Sequence, residues 1–114
     1  NLKDCKNIYI QKIKLNNIEN VYWVVGIVIL NKKMTAMRFR NELKKCKIET
    51  REFFWPMNKQ DALKKYNLKL EKNYRNSEYI SKYGFYLPSG LETSNKEINY
   101  ICKCIKNIKN KFNF

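Results

Sequence analysis

A chain of 114 residues is long enough for one domain with a single modest core and too short for a two-domain enzyme. Its net charge of +14 raises the question of a polyanionic partner, yet only four of the 24 basic residues are arginine and the lysines run along the whole chain, which favours a solvated surface over a phosphate-contacting stripe. The absence of any histidine excludes Ser-His and Cys-His catalytic pairs and a histidine general base.

Ile8 to Leu15 alternates apolar and polar side chains with one slip, the period of a half-buried strand with a bulge. Asn16 to Asn20 supplies turn chemistry. Val21 to Leu30 is apolar on both faces and predicts a central strand, with Trp23 in the core. From Lys33 to Cys46 the period changes: Ala36, Phe39, Leu43 and Cys46 share one face, and Arg40, Glu42, Lys44 and Lys45 lie largely on the others. That pattern predicts an amphipathic helix against the sheet. Ile48 to Phe54 returns to an extended pattern and stops at Trp55-Pro56, because proline has no amide proton for a ladder and biases its predecessor toward extended geometry.

A short helix is expected from Lys59 to Tyr66, then a Lys/Asn-rich linker to about Asn73, then a helix ending near Tyr83 with Gly84 in the left-handed position that closes it. Phe85 to Leu87 predicts a brief strand and Pro88-Ser89-Gly90 a turn. Ser94-Asn95-Lys96-Glu97 is a capping box, and Ile98, Ile101, Ile105, Ile108 and Phe112 mark one face of a terminal helix. The order predicts an α+β fold, a small, mainly antiparallel sheet with helices packed on one face, in one domain over 1–114.

The longest apolar run has ten residues, below the roughly 17 to 25 that span a bilayer, and the chain shows no leader pattern, so a cytoplasmic, non-membrane protein is expected. Opening at Asn1, it fits a fragment or a processed chain. Cys5, Cys46, Cys102 and Cys104 lack zinc-site spacing, and Cys102 and Cys104 on a helix would point roughly 200° apart; no metal is expected, and reduced, partly buried cysteines are. The ten carboxylates are scattered, and three glycines build neither a Gly-x-Gly-x-x-Gly nor a Walker-type loop. As a self-contained enzyme the chain is chemically underequipped.

Two segments stand apart. Glu49-Thr50-Arg51-Glu52-Phe53-Phe54-Trp55-Pro56-Met57-Asn58 makes a rigid aromatic-walled loop, suited to a sugar or another flat polar ligand, and Gly84 to Gly90 follows some thirty residues on. With Tyr22-Trp23 and the apolar run after it, they resemble the C-terminal region of the pyridoxal-phosphate-dependent sugar aminotransferases of the DegT/DnrJ/StrS family, most closely the GDP-perosamine synthases. The resemblance runs from about Ile8 to Ile108 but matches only about the last third of a family member. It implies the small domain of a fold-type I aminotransferase, without the large domain that holds the Schiff-base lysine and the cofactor. No catalytic residue is therefore expected in this chain, and no pyridoxal phosphate on it alone.

In a complete enzyme the resemblance implies transfer of an amino group from glutamate to a nucleotide-linked keto sugar, in a homodimer. Arg51, Phe54, Trp55, Met57 and Asn58 would form one wall of the sugar site, with Arg51 pairing to a carboxylate or phosphate or anchoring its strand to a neighbouring acid. Asn58 stands where the family often carries histidine, which keeps hydrogen bonding and loses a titratable group. Lys47 stands where the family usually has a left-handed glycine, and Glu52 and Asp61 where proline is common. The alternative from another class is a small basic module that binds nucleic acid.

Overall fold

A computed structural model describes residues 1–66 and 73–114; most of the predicted lysine-rich linker lies outside the described residues. Four antiparallel strands, β1 (Ile8–Ile10), β4 (Val25–Ile29), β6 (Gly84–Leu87) and β5 (Arg51–Glu52), form a sheet in the order β1-β4-β6-β5. Between β1 and β4 a ribbon of β2 (Lys14–Leu15) and β3 (Ile18–Glu19) stands apart, turning at Asn16, whose φ of 52° a short amide side chain tolerates. The helices are α1 (Ala36–Lys45), α2 (Asp61–Lys65), α3 (Arg75–Tyr83) and α4 (Asn95–Phe112). This is the α+β architecture that the element order predicts, and none of the helices among the described residues is long and apolar enough to cross a membrane.

β4 is central, between β1 and β6, as its two apolar faces require, but it is shorter than predicted and begins only at Val25. The strand predicted over Ile8 to Leu15 also stops early, at Ile10. There the Gln11 side chain accepts the Gly26 amide at 2.9 Å, taking the place of a ladder carbonyl.

Alternation sorts the sheet into two faces. Ile8, Ile27, Ile29, Phe85 and Leu87 join Phe39 and Leu43 of α1 and Ile101, Ile105 and Ile108 of α4 in one core. Phe39 lies at its centre, its ring 5.6 Å from Phe85 and 5.9 Å edge-on from Phe114. Each such side chain contributes roughly 1.5–3 kcal/mol by leaving water. Asn113, left-handed at the end of α4, turns the chain so that Phe114 folds back into that core.

The caps explain the helix limits. Thr35 accepts the Arg38 amide and starts α1 three residues later than the periodicity alone suggests, while Ser94 and Glu97 form the predicted capping box of α4. Ile98, on the predicted apolar face, is 42% exposed because it lies in the first turn of α4, ahead of the core. At the other end of α1 the Ile48 amide donates to Leu43 and the Lys47 amide to Lys44, a Schellman closure with Ile48 buried against the core. Lys47 therefore takes a φ of 58°, the left-handed position the sequence departure implied, at a cost of about 1 kcal/mol relative to glycine.

Gly84 departs from expectation. It is extended, with φ −107° and ψ 158°, and opens β6 instead of closing α3 in a left-handed turn.

Candidate functional site

The site grows from the short edge strand β5, which pairs Arg51 with Tyr86 and Glu52 with Phe85. Glu52 lies toward α1, where Arg40 donates to its carboxylate and, at 3.1 Å, to the Thr50 hydroxyl. The strand is thus anchored to α1 through Arg40, which holds the strand's own acid, Glu52, and not through Arg51. Arg51 shares the opposite face with Tyr86, is exposed, and has no acidic partner among the described residues.

Beyond β5 the extended pattern ends, because Phe53 turns flat across the outer face of the sheet. Its ring lies 4.4 Å from that of Tyr86 and covers Gly26 and Gly84. A Cβ on Gly26 would sit 2.9 Å from the Phe53 ring; one on Gly84 would overlap the ring and lie 2.6 Å from the Ile80 carbonyl. Close approach, and not a positive φ, is what glycine supplies at position 84.

Phe54 then stacks on Trp23 with centroids 6.4 Å apart and planes 14° from parallel, and sets its face or edge 6.0 Å from Tyr86. Trp23 is 73% exposed, which overturns its predicted place in the core. The reason lies one residue earlier. Tyr22 takes a left-handed φ of 48°, held by its amide on the Asn20 side chain at 2.8 Å, and the chain enters β4 only after Trp23 has swung out.

The rest of the loop is tied to itself. Pro56 is buried and opens a single 3₁₀ turn, Met57–Lys59; the Trp55 indole donates to the Lys59 carbonyl at 3.1 Å, and the Gln60 amide returns a bond to the Trp55 carbonyl at 3.0 Å. Trp55 (60% exposed) and Met57 (68%) keep their apolar surfaces in solvent. Asn58 is half-buried, and its amide makes no hydrogen bond within the described residues, so both its donor and its acceptor are available.

Arg51 and Phe54 therefore belong to one neighbourhood around Tyr86, whereas Trp55, Met57 and Asn58 follow on the adjoining turn. Trp23 and Tyr86 are wall members that the sequence reading did not assign. Tyr86 was findable: alternation in Gly84–Leu87 places it opposite Phe85 and Leu87. An open groove of about 1010 Å³ runs beside this wall, between the ends of β5 and β6 and the last turns of α1. No cluster of metal-ligating side chains occurs among the described residues.

The model of one family, described as the DegT/DnrJ/EryC1/StrS aminotransferases, matches residues 1–106. The chain belongs to that family. In fold it is similar to Spr1654 of Streptococcus pneumoniae, a protein provisionally named a sugar aminotransferase and solved in its PMP form, with a TM-score of 0.73 at 20% identity. That match covers 93% of this chain and 27% of the other, so the chain spans about a quarter of its structural neighbour. No curated protein matches it. Within the DegT/DnrJ/EryC1/StrS aminotransferases, then, the aromatic wall belongs to a part that is small relative to that neighbour and built around one antiparallel sheet.

Proposed function

We propose that this chain is the C-terminal part of a pyridoxal-phosphate-dependent nucleotide-sugar aminotransferase, close to the GDP-perosamine synthases, that moves an amino group from glutamate to a keto sugar. The observation that carries the reading is the loop itself: a family member presents Arg51, without an acidic partner among the described residues, beside the exposed Trp23 and Phe54, which stack on each other, with half-buried Tyr86 edge-on to Phe54. Aromatic faces pack on the apolar faces of a sugar ring, while Asn58 and Arg51 supply the polar contacts that fix its orientation. Trp55 and Met57 extend the same wall.

The cofactor does not fit the residues described here. No charged or polar side chain among them is buried, so there is neither a desolvated lysine to hold a pyridine aldehyde nor a buried carboxylate to face its ring nitrogen. Bound elsewhere in the complete enzyme, the cofactor would serve as an electron sink; this chain's own residues bind and orient the sugar and shield it from water. The remaining large domain, a homodimer and a cytoplasmic location complete the proposal, and the isolated chain is inactive.

The test begins with the DNA upstream of the Asn1 codon. An aminotransferase large domain encoded there, whose extended product aminates a nucleotide-linked keto sugar with glutamate and loses most of kcat/KM in the W55A and R51M variants, is the expected result. Finding no such domain there or in an adjacent frame would overturn the intact-enzyme reading, and turnover by the 114-residue chain alone would overturn its dependence on one.

A further inference from the structure

Two free thiols from distant parts of the chain meet where α1 ends on α4. Cys46 caps α1: its amide donates to the Leu43 carbonyl at 2.9 Å, and its half-buried side chain packs on the rim of the core. Cys104 is buried in α4 beside Ile105. Tyr100, one turn earlier on α4, donates its hydroxyl to the Cys46 carbonyl at 3.2 Å, which fixes the face of α4 that the end of α1 meets. On that face the side chains of Cys46 and Cys104 are hydrogen-bonded to each other.

The other two cysteines are placed differently. Cys102 projects roughly 200° around α4 from Cys104 and lines a separate cavity with Leu2 and Ile98, and Cys5 is buried in the segment before β1. A disulfide needs side chains that already face each other, because its sulfurs lie only about 2.0 Å apart. Cys46 and Cys104 meet that condition, and Cys46 sits past the last regular turn of α1, where the backbone can follow its sulfur. Access is one-sided, since Cys46 is partly open to solvent and Cys104 is covered. Burial first, and then the bond to Cys104, pushes the Cys46 thiol above its ordinary range; the Glu42 carboxylate adds to this and Lys111 opposes it. Little of it is thiolate at neutral pH, so the pair reacts slowly with reagents that meet it singly.

We propose that Cys46 and Cys104 are a redox pair, which an oxidised small-molecule disulfide such as oxidised glutathione converts to an intramolecular disulfide that staples the end of α1 to α4. The Cys46 thiolate attacks the small disulfide, forming a mixed disulfide and expelling one glutathione thiolate. Cys104 then attacks the Cys46 sulfur and expels the second. The protein loses two electrons and two protons, and one oxidised glutathione becomes two glutathione thiols. In a reducing compartment the pair stays open and closes only under oxidation. Closure ties the two ends of the stretch that carries β5 and the aromatic loop, and holds the Lys47 and Ile48 amides on their α1 carbonyls. The proposal stands apart from the aminotransferase reading, and neither depends on the other.

The test equilibrates the folded 114-residue chain with mixtures of oxidised and reduced glutathione, traps the remaining thiols by alkylation and maps the cross-links by mass spectrometry without reduction. One intramolecular Cys46–Cys104 bond is expected, reversed by dithiothreitol, with Tm raised by about 10 °C or more in the oxidised form. Exchange of the Lys47 and Ile48 amides should slow about tenfold or more on oxidation. The C5S/C102S chain should keep the whole response. C46S should lose it while keeping the Tm of the reduced wild type, and C104A, which avoids a buried hydroxyl, should stop at the glutathione adduct on Cys46. Failure to cross-link in the folded chain, a bond to Cys5 or Cys102 instead, a wild-type adduct on Cys46 that Cys104 does not resolve, a lower Tm on oxidation, or unchanged exchange at Lys47 and Ile48 would each overturn the proposal.

Discussion

Arg40 of α1 holds Thr50 by two bonds, from Nε to the hydroxyl at 3.1 Å and from Nη2 to the carbonyl at 3.3 Å. The two-residue strand β5 has only β6 as a neighbour in the sheet, so this side chain is its second support. Replacing Arg40 by methionine should cost about 1–3 kcal/mol, the range for losing charge-assisted hydrogen bonds from a half-buried group. R51M, which removes an exposed cation with no acidic partner among the described residues, should stay within about 0.5 kcal/mol of wild type. Urea midpoints of the two variants check this, and equal losses would contradict the division of labour between the two arginines.

The fit of Phe53 over the glycines orders a second set of variants. G84A forces a Cβ into the Phe53 ring and toward the Ile80 carbonyl, and should destabilise by about 1–3 kcal/mol, more than G26A, whose Cβ meets only one edge of the ring. In the G84A/F53A double variant the two losses should be less than additive. Thermal melts of the four proteins supply the comparison.

Acid stability should depend on Glu42. Its carboxylate accepts from Lys111 at 2.8 Å and also from Lys45, and these bonds, Lys111 first, lower its pKa from the ordinary 4.5 to about 2. The folded form therefore holds the proton less tightly than the unfolded chain. The contribution to stability is complete above about pH 5, declines as pH falls from 4.5, and is gone once pH passes below about 2. Glu97, whose pKa the Ser94 bonds also lower, adds to the same limb. Chemical denaturation from pH 7 to pH 2 should give a shallower decline for E42Q, and a profile that stays parallel to wild type would refute the linkage.

At the start of α4, the Ser94 hydroxyl accepts the Glu97 amide, and the Ser94 amide donates to the Glu97 carboxylate at 2.8 Å. S94A should cost about 0.5–2 kcal/mol, S94G less, with far-UV circular dichroism showing loss in the first turn only. Because α4 carries four buried core residues, a larger loss of signal would mean that the cap controls the whole helix.

Sequence disclosed what period and punctuation encode. The capping box, the amphipathic faces of α1 and α4 and the central strand all rest on neighbours within one or two turns, whereas the strand expected to run to Trp55-Pro56 ends at Glu52, where Phe53 turns onto the sheet. Features that depend on distant partners stayed hidden. Trp23 sits in an apolar run and read as core, because only the Asn20 grip on Tyr22 and the distant Phe54 make its exposure tenable. Gly84 read as a helix closer, because nothing local reveals that Phe53 will lie over it. Arg51 drew attention inside an aromatic motif, while Arg40, eleven positions earlier on a helix surface, proved to be the residue that ties the strand. Family membership was legible from the combination of segments, although the residues that complete the wall were not.

The course of the loop is written as two omissions. The side chains missing at positions 26 and 84, on strands remote in sequence from the loop, decide where Phe53 comes to rest and hence which way Phe54 and Trp55 leave the sheet. Polar atoms alone would never reveal those positions as part of the site. A relative with a differently aimed loop need change nothing in the loop itself; filling either space on the sheet would redirect it, so the aromatic wall can be retuned from beneath while its own residues stay the same.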